Sequence, residues 1–280
     1  MEAAISKTKN KLVKKSAKKP EVSLSTAIES IEGIFFDKDM KPFELPIWME
    51  SLIGIDWTLL HISPLYYGWG VPKGDGSPVI LVPGFLATDF YLYDLYFWLQ
   101  RIGYKPYLSN IGWNADCLNT LVNKLSETVQ KAHEETGKKV HLIGHSLGGI
   151  LSRSAAAQNL EIIDSVITMG SPFRGVKSHP FLIDMSEKIR RRIFVNHDNN
   201  HPQNCYTGYC DCVAVSAMQK VLPDTIKKTA IYSKSDGVVH WENCIYRDEN
   251  KNFEVSGTHC GMAFNYQVYK LIGERLKSEK

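Results

Sequence analysis

Residues 140–152 read Val-His-Leu-Ile-Gly-His-Ser-Leu-Gly-Gly-Ile-Leu-Ser, and no other stretch restricts the fold of this chain so tightly. Val140, Leu142 and Ile143 supply the apolar run of a buried strand, and the small residues after Leu147 suit a close-packed helix. Between them, Gly144-His145-Ser146-Leu147-Gly148 fits a sharp, strained turn that pushes a serine hydroxyl clear of a sheet. A side chain at 144 or 148 would collide with the neighbouring strand and helix, so glycine belongs at both positions. The pentapeptide alone arises often by chance, so its meaning depends on partner residues further along the chain.

A hydroxyl is a poor nucleophile at neutral pH and needs a base, which in turn needs an orienting acid. Thr229-Ala-Ile-Tyr-Ser-Lys-Ser-Asp-Gly reads as a strand ending in a turn with Asp236 at its tip. Asn252-Phe-Glu-Val-Ser-Gly-Thr-His reads as a second short strand with His259 just past its end. Both side chains then emerge at the carboxyl ends of strands, in the order Ser, Asp, His. Asp236 before Gly237 also suits an ordinary turn. His240 competes as the base, but lies too close to Asp236 in sequence to reach Ser146 from a separate loop. His145 is expected to pack beside the serine, and His141 to be a structural histidine within the strand. An oxyanion formed at Ser146 requires two donors. The N–H of Leu147 is one candidate. The N–H of Phe85 is the other, in the loop after the apolar run Pro78-Val-Ile-Leu-Val.

On these motifs the chain resembles an α/β-hydrolase of the lipase and esterase kind over about residues 75 to 276. Val82-Pro83-Gly84-Phe85 resembles the oxyanion loop, Gly144–Gly149 the elbow, and Gly170-Ser171-Pro172 the turn after the next strand; Asp236 and His259 resemble the acid and the base. Pro83 departs from the pattern, since many relatives carry His before the oxyanion glycine. The resemblance implies hydrolysis of lipid-like or other hydrophobic carboxylic esters through an acyl-enzyme on Ser146, with no cofactor. Two alternatives stay open. One is an acyltransferase or thioesterase using the same triad. The other is a non-catalytic scaffold that binds lipids or partners through the N-terminal tail and the segment 47–60.

Strands at about 78–83, 105–110, 139–144, 163–169, 228–234 and 252–256 alternate with helical patterns at 89–101, 116–135, 147–158 and 261–276. The fold class expected is α/β: a mostly parallel sheet, helices on both faces and a small cap insertion. Residues 1–25 are expected to form a basic, disordered tail and 26–280 the hydrolase domain, with 174–226 inserted as a cap. Phe85, Leu86 and Phe173 are the candidates for lining an acyl pocket. Within 47–62, Trp48, Leu52, Ile55, Leu59 and Ile62 recur at helical spacing, which predicts a helix packed on the domain by that stripe.

Net charge is +3, yet residues 1–20 hold seven Lys and one Glu, so the remaining 260 residues are acidic at −3. That balance argues against a nucleic-acid surface on the domain. It leaves peripheral membrane contact through the tail as the sharper reading of a solvated segment. The tail lacks the apolar core of a secretory signal, and the chain has no Asn-x-Ser/Thr sequon. A reducing cytoplasm with free thiols is therefore the expected setting. His197, His201, Cys205, Cys210 and Cys212 lie close together but match no common zinc spacing, so no metal is expected; a disulfide among the cysteines is the other reading. The oligomeric state has no signature in the sequence.

Overall fold

Six short apolar segments become strands: β1 (Pro78–Val82), β2 (Lys105–Leu108), β3 (Val140–His145), β4 (Ile163–Met169), β5 (Lys227–Tyr232) and β6 (Asn252–Glu254). The computed structural model describes residues 47–175, 180–196 and 210–277. The strands form one parallel sheet in the order β2-β1-β3-β4-β5-β6. Every residue of β1 and β3 is buried, which is why these strands read as continuous apolar runs instead of alternating with polar residues.

Seven α-helices occur among the described residues: α1 (Ile53–Ile62), α2 (Tyr93–Arg101), α3 (Leu118–Thr136), α4 (Leu147–Gln158), α5 (Pro180–Asn196), α6 (Val213–Met218) and α7 (Tyr266–Leu276). The period of two along each strand divides the core into two layers. Ile80, Val82, Leu142 and Val166 face Leu121, Leu125 and Val129 of α3, Ile150 and Ala155 of α4, and Ala214 and Met218 of α6. Val79, Leu81, Ile143, Ile167 and Ile231 face Leu95, Trp98 and Leu99 of α2, Tyr269 and Ile272 of α7, and Leu60 of α1. Each fully buried side chain of this size contributes about 1.5–3 kcal/mol. Along α3, Leu118, Leu121, Leu125, Val129 and Ala132 recur at helical spacing and are all buried.

The chain runs from β1 outward to β2 and then reverses, placing β3 on the other side of β1. Such a reversal opens a crevice at the carboxyl ends of the two strands, where open α/β sheets hold their ligands. The loops after β1 and β3 are the two singled out in the sequence.

One expectation needs correction. The segment 47–62 does pack on the domain, as a 3-10 helix (Ile47–Leu52) continuing into α1, but with the opposite stripe. Trp48 and Ile62 are each 70% exposed, and Leu52, Ile55 and Leu59 also face outward. Glu50, Ile53, Asp56 and Leu60 point inward. The polar members of this stripe find partners: Asp56 accepts from Asn265 Nδ2 at 3.3 Å, and Glu50 accepts from backbone N–H groups. Hydrogen bonding, and not apolar area alone, selects the docking face.

The interval expected as a cap also divides in two. Ile189 and Ile193 of α5 pack with Ala115, Cys117, Phe85 and Leu86, at the mouth of the β1 loop. The second half, α6, belongs to the main core. Among the described residues, no helix is long and apolar enough to cross a membrane.

A Cβ on Gly148 would overlap the carbonyl oxygens of Val82 and Pro83, and one on Gly144 would overlap the backbone of Gly148 and Gly149. Gly→Ala inside a helix is ordinarily stabilising by about 1 kcal/mol. Gly148→Ala is expected to do the reverse, by about 1–3 kcal/mol of overpacking. Thermal unfolding should show a Tm several degrees below wild type; an unchanged or raised Tm would contradict this packing.

Candidate active site

Ser146 stands between the last residue of β3 and the first of α4 with φ 53° and ψ −124°, one of three non-glycine residues at positive φ among those described. Holding a serine there costs about 1–3 kcal/mol, offset by the surroundings. The Ser146 N–H donates to the Met169 carbonyl at the end of β4 (2.8 Å), and the Gly149 N–H donates to the Ser146 carbonyl (3.0 Å). The side chain is half-buried at the crevice.

The loop after β1 passes directly against this turn. A Cβ on Gly84 would lie 3.1 Å from Ser146 Cβ and 2.9 Å from His145 Nδ1. Asn114, fully buried, braces the loop from outside: its Nδ2 donates to the Pro83 carbonyl (2.8 Å) and its own carbonyl accepts from Leu86 N–H (3.0 Å). Phe85 and Leu86 come next, half-buried beside Ile189 and Ile193. Leu147 is the first residue of α4, and the first N–H groups of a helix have no acceptor within it. The positive end of that helix is thus directed at the crevice.

His259 Nδ1–H donates to Asp236 Oδ2 at 2.6 Å, with both side chains buried. The other carboxylate oxygen accepts from the N–H groups of Val238 and Val239, each at 2.8 Å, which locks the acid in place. The pair lies over Gly170, whose Cα side faces His259 Nδ1 and Asp236 Oδ2. Because Nδ1 donates, neutral His259 keeps its lone pair on Nε2. Burial pushes His259 down, but the charge and hydrogen bond of Asp236, helped by the charge of Glu50, outweigh it and leave the imidazole above 6.5.

The remaining histidines separate cleanly. His145 Nε2 donates to the His259 carbonyl (2.9 Å), so the elbow is tied to the loop that carries His259. Burial, then the charge of His259, drives His145 to about 3, and it stays neutral. His240 instead lies 3.6 Å from Glu242 and stacks beside Trp241. His141 bonds Ser165 Oγ at 2.7 Å inside the sheet, a structural partner.

Phe173 is 1% exposed and belongs to the main core, its ring tilted against Tyr246 with centroids 4.6 Å apart and lying beneath the Arg153 guanidinium. Phe85 and Leu86 instead stay partly buried against Ala115, Cys117, Ile189 and Ile193. Of the thiol and imidazole cluster, His197, His201 and Cys205 lie outside the described residues. Cys210 and Cys212 are free thiols, and burial pushes Cys212 up to about 11. Glu50 carries no signal in the sequence, yet its carboxylate accepts hydrogen bonds at both the Asp236 and the His259 loops.

The fold is that of the α/β-hydrolases. A lipase of Bacillus licheniformis in its mature form superposes with a TM-score of 0.50 at 14% identity, covering 75% of this chain and 95% of that one. A metagenome-derived lipolytic enzyme gives 0.50 at 16%, covering 73% and 93%. These likenesses establish the fold. The chain belongs to the palmitoyl protein thioesterase family, whose model matches residues 78–252. Triacylglycerol lipases of Pseudarthrobacter phenanthrenivorans and Burkholderia plantarii are each 38% identical over 117 residues, which is 39% of this chain. The match covers 37% and 33% of their lengths, about a third of each.

A base must be neutral to accept a proton, so activity should fall as pH drops through the His259 pKa. The midpoint of the acidic limb of kcat/KM is expected above 6.5. Asp236→Asn removes the main charge that raises it, so the limb should move to lower pH while kcat falls by up to about 10⁴-fold. A limb that stays put in that variant would mean another group titrates.

Proposed function

We propose that the chain is a serine ester hydrolase acting on hydrophobic carboxylic esters through an acyl-enzyme on Ser146. The observation that carries this reading is the buried 2.6 Å His259–Asp236 pair, set beside a serine held at positive φ. Ser146 Oγ attacks the acyl carbonyl while His259 Nε2 takes its proton. Asp236 fixes the tautomer and stabilises the imidazolium. The tetrahedral oxyanion is held by the N–H groups of Phe85 and Leu147, each worth about 3 kcal/mol. His259 then protonates the departing alcohol. A water enters, gives its proton to His259 and attacks the acyl carbon, and Ser146 leaves with the proton returned. Phe85 and Leu86 with Ile189 and Ile193 support an apolar acyl group, and the name of the triacylglycerol lipase relatives points the same way.

The family match favours a second reading with the same residues, in which the acyl group arrives as a thioester and a thiol leaves. The discriminating assay is kcat/KM for an oxygen ester and a thioester of one long acyl chain. Either substrate turning over by way of Ser146 fits the shared acyl-enzyme. Intact-mass spectrometry after fluorophosphonate treatment should show one adduct on wild type and none on Ser146→Ala. An unlabelled, folded wild type would overturn the reading.

The seven lysines among residues 1–20 add peripheral attachment to anionic membrane, at about 1 kcal/mol per basic residue near the surface. Liposomes rich in phosphatidylserine should co-sediment the full chain and release a version lacking residues 1–20. Equal binding by the two would remove the tail from the reading.

A further inference from the structure

We propose that Glu50 is a positioning residue of the active site, clamping the loop of the acid and the loop of the base to one another through their backbones. The proposal rests on the reading of Ser146, Asp236 and His259 as a triad. Glu50 Oε1 accepts from the N–H of Gly237 (3.0 Å), the residue after the acid, and from the N–H of His259 itself (3.0 Å). Oε2 accepts from the N–H of Cys260 at 2.7 Å. One carboxylate therefore receives three charge-assisted bonds from two loops. At their bases the same loops are joined where Ser233 Oγ donates to the Gly257 carbonyl (2.6 Å), and at their tips by the side-chain bond between Asp236 and His259. Tips joined through side chains alone can pivot about that bond; clamped through the backbone as well, they hold the imidazole plane in one orientation.

The element that carries Glu50 is itself seated on the base loop. Two turns on, Asp56 bonds Asn265, and its carboxylate fills the space beside Gly257 and Gly261 so closely that a Cβ on Gly261 would overlap it. Asn265 also donates to the Ser256 carbonyl at 2.6 Å, closing the loop that holds His259. At its far end, α1 is fixed to α2 by Trp57 and His61, both bonded to Asp94.

Charge gives Glu50 a second effect. The ionisable groups around His259 are Asp236 after β5, His145 at the end of β3, Tyr91 before α2, Glu50 and Asp56 from the N-terminal segment, and the adjacent Cys260. Burial keeps His145 and Tyr91 neutral, and burial with the charge of Glu50 lifts Cys260 to about 12, so its thiol stays protonated. Asp236 and Glu50 remain to stabilise the imidazolium, and both raise His259.

The test compares wild type, Ser146→Ala, Glu50→Gln and Glu50→Asp, with kcat expressed per fluorophosphonate-titrated active site. Glu50→Gln keeps the shape, removes the charge and sets an amide donor against the Cys260 N–H. It should lower kcat about 10- to 100-fold with KM within about twofold, and move the acidic limb to lower pH. Glu50→Asp, which keeps the charge on a shorter arm, should give an intermediate kcat with the limb near its wild-type position. A merely structural Glu50 would lower Tm and the titrated fraction while leaving kcat per site and the limb unchanged, and that result overturns the proposal. Should Glu50→Gln not fold, wild-type kcat per site in Glu50→Asp overturns it instead. Wild-type turnover in Ser146→Ala would sink the triad reading itself, and this proposal with it; turnover lost in that variant leaves the Glu50 result to be judged on its own.

Discussion

Helix α4 lies so close to the end of β1 that backbone meets backbone, and the site depends on that approach. Gly148 faces the carbonyl oxygens of Val82 and Pro83, and Gly149 faces the Ser171 side chain. No residue with a Cβ fits at either point without displacing its neighbour. The closeness has three results. It brings the loop after β1 against Ser146. It leaves positive φ as the conformation by which the chain passes from strand to helix at 146. It also directs the N-terminal end of α4, with its unpaired N–H groups, into the crevice between β1 and β3. Strain at one residue is thereby exchanged for a pre-arranged electrostatic environment, and the two buried layers of the sheet hold the strain in place.

Around His259 the same packing sets opposing electrostatic terms against each other. Burial favours the neutral imidazole; a carboxylate at 2.6 Å favours the charged one, and the carboxylate prevails. At His145, one residue from Ser146, burial prevails, reinforced by the charge of His259. Two histidines with ring centroids 4.8 Å apart are thus driven in opposite directions by their partners. Burial leaves His145 neutral, whereas Asp236 and Glu50 favour the charged form of His259.

Much of this was legible in the sequence because the signals are local. A strand, a turn and a helix within thirteen residues announce the elbow, and six apolar runs separated by helical patterns announce the parallel sheet. Asp236 and His259 were legible as strand-end residues, and the structure brings them together as a hydrogen-bonded pair. What was not legible lies in contacts without local signature. Periodicity identifies a helical stripe but not which stripe is buried, and at 47–62 the apolar stripe faces out while the mixed one docks. Glu50 sits about 200 residues from its partners in sequence, and an isolated acid in an amphipathic segment carries no mark of three backbone donors. Phe173 read as pocket-lining because it comes just after a strand end; the aromatic and cationic groups that hold it in the core, Tyr246 and Arg153, come from elsewhere in the chain.

Stability and competence therefore rest on different parts of the molecule. The two apolar layers bury side chains from β1, β3, β4 and β5 and need nothing from the site to do so. The site, in contrast, is assembled from one strained local turn and several polar contacts of long sequence separation, each worth only about 1–3 kcal/mol. Loosening such a contact leaves the sheet intact while displacing the imidazole by a fraction of an ångström, and proton transfer between heavy atoms is sensitive to displacements of that size. The carboxylates of the N-terminal segment act at this point. Glu50 and Asp56 add little to a core that is already complete, and their contribution is to narrow the range of positions open to His259.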